Sequence, residues 1–345
     1  MNKIAVLVVD DSAFMRRLIA ELINEDSRMH VIGTARDGQD ALKKVKELKP
    51  DVITLDVNLP DMTGLDVLNQ LMASKPIPTI MLSSLTDRGA SITVEAMALG
   101  AVGFIPKPSG EISLDLYKIK SELIEKIVEA SQSHVYDMID HSKETRKLPN
   151  IVKNNKVKLV CIGASTGGPR ALRSVITKLP ASLPVPVVVV QHMPETFTKS
   201  FAQKLNQWSS ITVKEASHGE VLRNGMVYIA PGGHQTRVKS VGQTLAFHVD
   251  RSPIVRGLRP SFDVLLASVT ESQIDDVLTV TLTGMGTDGA RGLTELKQVS
   301  HVHAIAESEK TAVIFGMPKA AIKTGLIDET LDLNNISAAI INHIG

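Results

Sequence analysis

The sequence predicts an α/β protein built as two doubly wound parallel-sheet domains, and three observations carry that reading. Short apolar runs rich in Val and Ile alternate with helix-length amphipathic segments, the pattern of strands buried on both faces of a parallel sheet. The alternation occurs twice, interrupted by a stretch that loses its periodicity and turns polar. At 345 residues the chain also exceeds the common size of one domain.

In the first third, the strand candidates are IAVLVV (4–9), MHVIGTA (29–35), DVITL (51–55), TIML (79–82) and AVGFI (101–105). Five strands with helices between them form an open doubly wound sheet. From Leu114, LDLYKIKSELIEKIVEASQ has helical spacing, and SHVYDMIDHSKETRKLPNIVKNNK reads as a linker. The second pattern supplies VKLVCI (157–162), VPVVVVQ (185–191), MVYIA (226–230), VLTVTLT (277–283) and HVHAIA (301–306). The expected division is a first domain over residues 1–125, a helix end and polar linker over 126–155, and a second domain over 156–345.

The totals exclude several classes. Lys and Arg number 38 against 37 Asp and Glu, so the composition leaves no electrostatic footprint for nucleic acid. Cys161 is the only cysteine, which rules out an intrachain disulfide and a multi-cysteine zinc site and fits a reducing compartment. The opening apolar run is closed by Asp10 and Asp11 and is too short to span a bilayer. A cytoplasmic protein without direct membrane insertion is expected.

Ligands of open α/β sheets sit outside the carboxyl ends of the strands. In the first domain Asp10 and Asp11 follow the first strand, Asp56 the third, Ser83 the fourth, and Lys107 comes two residues after the last. Clustered carboxylates repel unless a cation neutralises them, and an all-oxygen set open to phosphate suits Mg²⁺. An ionised Asp can then attack a phosphoryl group while the metal, Lys107 and the Ser83 hydroxyl offset charge on its oxygens. Taken singly, Asp10 and Asp11 could instead cap the next helix, Asp56 could sit in a turn and Lys107 be solvated.

These residues stand in VVDDS, DVNLPDMTG, MLSS and FIPKP, and over roughly residues 1–125 the chain resembles two-component receiver domains, which are flavodoxin-like. The resemblance implies that Asp56 is phosphorylated by a chemotaxis histidine kinase and that Asp11 and the Asn58 carbonyl join Asp56 in holding Mg²⁺, with Asp10 beside them. It also places Phe104 at the family's switch aromatic position and makes a cis Lys107–Pro108 peptide an expectation.

In the second domain, VKLVCIGASTGGP runs from an apolar strand into G-x-S-x-G, Gly163 to Gly167, ahead of the helix candidate PRALRSVITKL. GASTGG breaks the dinucleotide fingerprint, and no Lys follows the glycines as a Walker loop requires. Ser165 is thus a candidate nucleophile. Of ten histidines, His192 alone directly follows a buried strand, at the edge where Ser165 lies; His134 and His141 fall in the linker, and His248, His301, His303 and His343 have plain structural explanations. Asp288, in a glycine-rich loop after another strand, can orient the imidazole, or else cap the helix GARGLTELK. The order Ser, His, Asp differs from the Ser, Asp, His order of α/β-hydrolases. Asp263 and Arg259 can approach the site, without assigned roles.

IGASTGGP, VVQHMPETFTKSFAQKLN, VYIAPGGH, RPSFD and LTGMGTDGARGL strongly resemble the catalytic domain of chemotaxis protein-glutamate methylesterases, over about residues 156–345. That family resemblance implies a Rossmann-like methylesterase domain, a triad of Ser165, His192 and Asp288, and an oxyanion site made by main-chain donors at Thr166 and Met285. It implies methylated chemoreceptor helices as substrate, glutamine deamidation beside ester hydrolysis, and no cofactor for hydrolysis. In APGGHQ the chain departs from the family pattern, with His234 and then Gln235 where a histidine is common. Two other readings fit the residues: a response regulator whose second domain only binds a partner, and a phosphosugar or nucleotide enzyme using STGG as an anion loop.

Overall fold

The computed structural model describes residues 3–83, 87–107, 112–133, 135 and 157–344. The Lys107–Pro108 peptide, His134 and His141 lie outside the described residues. The chain divides into two compact units, Met1–Met138 and Ile139–Gly345.

The first unit runs β1 (Ile4–Val9), α1 (Ala13–Asn24), β2 (Met29–Ala35), α2 (Gly38–Leu48), β3 (Val52–Asp56), α3 (Gly64–Ser74), β4 (Thr79–Ser83), α4 (Asp87–Leu99), β5 (Gly103–Pro106) and α5 (Ile112–Ser131). Its strands form one parallel sheet in the order β2-β1-β3-β4-β5, the flavodoxin-like arrangement, whose switch point falls between β1 and β3. Val6 to Val9 of β1 and all of β3 and β4 are buried, as helices on both sheet faces require. Local signals set the helix starts: Ser12 caps α1, Asp37 caps α2, and Thr63 with Asp66 forms a capping box on α3. The cap of α1 is therefore Ser12, not Asp10 or Asp11. Helix α5 packs on β4 and β5 and runs to Ser131, which carries this unit past residue 125.

The second unit contains β6 (Leu159–Ala164), α6 (Gly168–Ile176), β7 (Val187–Gln191), α7 (Glu195–Trp208), β8 (Thr212–Glu215), β9 (Met226–Ile229), β10 (Gln235–Val241), β11 (Thr244–Asp250), α8 (Phe262–Glu271), β12 (Val277–Thr281), α9 (Ala290–Leu296), β13 (Val302–Glu307), α10 (Met317–Lys323), β14 (Glu329–Leu331) and α11 (Leu333–Ile344). Seven of these strands form a parallel sheet, β14-β13-β12-β6-β7-β9-β8. From β6 the chain winds outward through β7, then returns to lay β12 on the other side of β6, so the switch point lies between β6 and β12. Every residue of β6, β7 and β12 is buried.

Between β9 and α8 the chain makes an antiparallel hairpin, β10 with β11, outside the parallel sheet. Its turn places Gly242 at φ 60°, in the left-handed region. Val238 and Phe247 turn inward from this hairpin onto Tyr228, Leu265 and Val269. That packing anchors β10 against α8 and fixes the loop that follows β11.

Candidate active sites

The first site forms at the switch point of the first unit. Asp10, just after β1, and Asp56, the last residue of β3, are almost completely buried, and Asp11 is exposed. Lys107 closes the group, its Nζ lying 2.7 Å from Asp10 Oδ2 and 2.6 Å from Asp56 Oδ2. Asp10 Oδ1 also accepts the Ser12 N–H at 2.9 Å. Burial pushes the Asp56 carboxyl above its ordinary value, against the pull of Lys107 and the Asn58 N–H. Burial alone would lower the Lys107 pKa, but Asp10 and Asp56 outweigh it and hold the ammonium charged. Lys107 is therefore not the solvated side chain that it could have been when taken alone.

One carboxylate oxygen each from Asp10, Asp11 and Asp56 lies within 4.8 Å of the others. An all-oxygen set with one exposed member fits a hard divalent cation such as Mg²⁺, which keeps part of its water shell. Ser83 is fully buried at the end of β4, and its carbonyl accepts the Lys107 N–H at 2.7 Å. Asn58 contributes its N–H to Asp56, and Phe104 is buried in β5.

The second site forms at the switch point of the seven-stranded sheet. Ala164 pairs with Gln191 across β6 and β7, and the ladder continues with the His192 N–H donating to the Ala164 carbonyl at 3.1 Å. Ser165 and His192 are thus the first residues beyond two adjacent strands. Gln191 donates through Nε2 to the carbonyls of both, at 3.0 and 3.1 Å, and so ties the two turns together. Gly167 sits at φ 78°, the left-handed conformation that turns the chain from Ser165 into α6. Ser165 also rests against the loop after β12. A Cβ on Gly284 would come within 2.7 Å of the Ser165 Cβ, so a side chain there would displace the serine.

Asp288 reaches His192 from that same loop, its Oδ2 lying 2.8 Å from Nε2. The carboxylate is surrounded by donors: Oδ2 also accepts the Phe262 N–H at 2.6 Å, and Oδ1 accepts the Ser261 hydroxyl at 2.8 Å and the Asp263 N–H at 3.0 Å. Burial alone would raise the Asp288 pKa, but His192 and the α8 amides outweigh it and hold the carboxyl below its ordinary value. An ionised carboxylate only accepts, so Nε2 carries the imidazole proton and Nδ1 keeps the lone pair. The side chain thus caps α8 rather than the helix it precedes. The amides of Gly289 and Gly292, at the start of α9, instead bind Asp263 Oδ1 at 2.9 and 2.7 Å.

Thr166 follows the serine, and Met285 follows Gly284, whose added Cβ would meet Ser165. The Ser165 carbonyl accepts from Gly168 N–H at 2.8 Å, and the Gly284 carbonyl accepts from Gly316 and Met317 N–H at 3.1 and 2.7 Å. A trans peptide sets the next N–H on the opposite side, so the Thr166 and Met285 amides point away from those partners.

Several supporting residues of this site have no role that the sequence alone assigns. Thr283 accepts the Ser165 N–H through its carbonyl at 3.0 Å and donates its hydroxyl to the Thr166 carbonyl at 3.0 Å. Glu307, fully buried at the end of β13, accepts the Thr283 N–H at 2.8 Å and the Thr311 hydroxyl at 3.0 Å, and burial pushes its carboxyl up to about 7. Gln235 is fully buried and binds the Pro253 and Leu258 carbonyls and the Ser261 N–H, so it holds the loop leading to Asp288's partners. His234 binds the Gly232 carbonyl and faces Arg251, while Arg259 turns to the Ser252 carbonyl. Cys161 is buried inside β6, where desolvation raises its thiol pKa and keeps it protonated.

A groove of 480 Å³ lined by Val157, Pro186, Leu222, Thr244 and Ile274 lies at the other ends of β6 and β7, away from Ser165.

The family model for CheB methylesterase matches residues 160–340, and that for the response regulator receiver domain matches residues 6–116. A protein-glutamate methylesterase/protein-glutamine glutaminase of Geobacillus kaustophilus is 48% identical over 348 residues, covering 100% of both chains. One of the same name from Bacillus subtilis is 47% identical and covers 98% of this chain and 97% of its own. The crystal structure of the Thermotoga maritima CheB methylesterase catalytic domain is similar with a TM-score of 0.52 and 43% identity, covering 54% of this chain and 97% of that one.

Proposed function

The chain belongs to the CheB methylesterase family and carries a receiver domain ahead of the catalytic domain, and from that premise we propose how its two sites work. Its relatives are named protein-glutamate methylesterase/protein-glutamine glutaminase, and this chain is an enzyme of that kind. Its substrates are γ-methyl glutamyl esters on chemoreceptor helices, and its cellular role is adaptation in chemotaxis. The enzyme acts in the cytoplasm on receptor segments, and no helix among the described residues is long and apolar enough to cross a membrane.

The observation that carries the mechanism is the 2.8 Å contact of His192 Nε2 with Asp288 Oδ2 in the turn beside Ser165. Nδ1 takes the Ser165 hydroxyl proton as Oγ attacks the ester carbonyl carbon. The Thr166 and Met285 amides receive the oxyanion. His192 then returns the proton to the departing methoxide, methanol leaves, and an acyl-serine remains. Nδ1 next removes a proton from water, whose oxygen attacks the acyl carbon and releases the γ-carboxylate and Ser165. With glutamine as substrate the same sequence expels ammonia. Asp288 stays ionised throughout and stabilises the imidazolium.

In the receiver domain, Asp56 accepts a phosphoryl group from a histidine kinase. Bound Mg²⁺ would be held by Asp10, Asp11, Asp56 and the Asn58 carbonyl and would neutralise charge on the phosphoryl oxygens. Lys107 supplies a fixed positive charge to the same oxygens, and Ser83 a hydroxyl donor. Phosphorylation raises the activity of the second domain. Methanol release from methylated receptor fragments tests this, for wild type and Asp56→Asn with and without a small-molecule phosphodonor and Mg²⁺. Stimulation confined to wild type is expected; equal stimulation of Asp56→Asn would refute the assignment.

A further inference from the structure

Besides the acidic group of the receiver domain, one other group of three metal-ligating side chains converges among the described residues, at the edge of the second sheet. His303 lies in β13, Glu329 opens the short edge strand β14, and His343 stands in the last turn of α11. Pairing of β13 with β14 sets Ile305 opposite Glu329, so His303, two residues before Ile305, lies on the same sheet face as Glu329. Helix α11 packs on β13. Both imidazoles aim Nε2 at one oxygen, Glu329 Oε1, at 2.7 Å from His303 and 2.6 Å from His343. Their rings lie 3.8 Å apart, centroid to centroid.

We propose that His303, Glu329 and His343 bind one divalent transition-metal ion of the zinc class. Two imidazole nitrogens and a carboxylate oxygen are the donors such ions take, whereas Mg²⁺ prefers oxygen alone. The three ligand atoms already lie within 4.8 Å of one another. Tetrahedral coordination at about 2.0–2.1 Å sets its ligands roughly 3.3 Å apart, so each residue needs to shift only slightly. The His303 and Glu329 side chains are 30% and 21% exposed, which leaves a solvent route and room for water as a fourth ligand. His343, at 9%, is held in place by its packing. Because the ligands come from three separate elements, the ion would tie the three-residue edge strand and the last helix to β13. This site is separate from Ser165 chemistry, which takes no metal in the mechanism above.

The test uses the untagged full chain in excess Mg²⁺, so that the receiver carboxylates are occupied by the hard cation. Zn²⁺ is titrated by calorimetry and thermal shift, and Co²⁺ by its visible absorption. One ion per chain, a rise in the unfolding temperature of the second domain and an intense low-symmetry Co²⁺ spectrum are expected. His303→Gln and Glu329→Gln, which retain polar groups of similar reach, should each weaken binding at least ~10- to 100-fold. Asp11→Asn should leave it unchanged. No binding at a tenfold molar excess of Zn²⁺ would overturn the proposal, as would binding that survives both cluster substitutions or is lost in Asp11→Asn.

Discussion

Two carboxylates at the switch points of two parallel sheets, Asp56 and Asp288, are pushed in opposite directions by their surroundings. Asp56 shares its pocket with Asp10 and Asp11, and Lys107 divides its charge between Asp10 and Asp56. Burial there wins, and the carboxyl rises. Asp288 is also buried, yet three backbone or hydroxyl donors and His192 converge on its two oxygens, and the carboxyl falls. Burial does not by itself decide the chemistry; the groups that share the pocket do. Where three carboxylates converge with a single lysine, the edge fits a cation and a phosphoryl group. Where an imidazole and three further donors surround one carboxylate, a permanent anion orients the imidazole.

The comparison breaks most visibly at the imidazole. Replacing His192 with Ala should reduce methanol release by ~10⁶-fold, the scale of losing a triad base, with the circular dichroism spectrum unchanged. Asp288→Asn keeps the shape but offers His192 an amide that can donate, which disturbs the Nε2–H tautomer. A fall of ~10⁴-fold in kcat is expected, and a fall under tenfold would remove the carboxylate from its assigned role. In contrast, Asp56→Asn should leave unstimulated turnover intact and abolish only the response to phosphodonor, read in the same methanol assay.

Stability sharpens the contrast within one domain. Glu307 is held up to about 7 by burial, so it binds its proton more tightly folded than unfolded. Its contribution is complete below the ordinary Glu value and is lost as pH rises through about 7, a swing of about 3 kcal/mol. Asp288 has the opposite sign: its contribution is present above the ordinary Asp value and disappears as pH falls through its lowered folded value. Hydrogen exchange of β12 and β13 amides across pH should show the Glu307 slope in wild type and its absence in Glu307→Gln.

Strands were the most legible part of the sequence. IAVLVV and MHVIGTA coincide with β1 and β2, because runs of Val and Ile between polar turns have few alternatives to a buried strand. Strands β8 and β14 and the β10–β11 hairpin were missed; β14 has only three residues, and QTRVKSV mixes charges into its outer half. The gathering of Ser165, His192 and Asp288 at one sheet edge was legible because each follows an apolar strand, where a parallel sheet displays its ligands. Gln191, Thr283 and Glu307 were not: each holds at least one group distant in sequence, and nothing local distinguishes them from ordinary polar residues; Gln235 stood out as a departure from the family pattern, but its partners Pro253, Leu258 and Ser261 did not. His303 and His343 looked separate, as they are until β14 and α11 bring Glu329 between them.

The central claim is that Ser165 performs the attack, and methanol release from a methylated receptor fragment by wild type and Ser165→Ala, side by side under saturating phosphodonor, tests it most directly. Release that disappears in the mutant while its unfolding profile matches wild type is the result expected. A mutant that still releases methanol within tenfold of the wild-type rate would contradict the account, however well His192 and Asp288 are aligned.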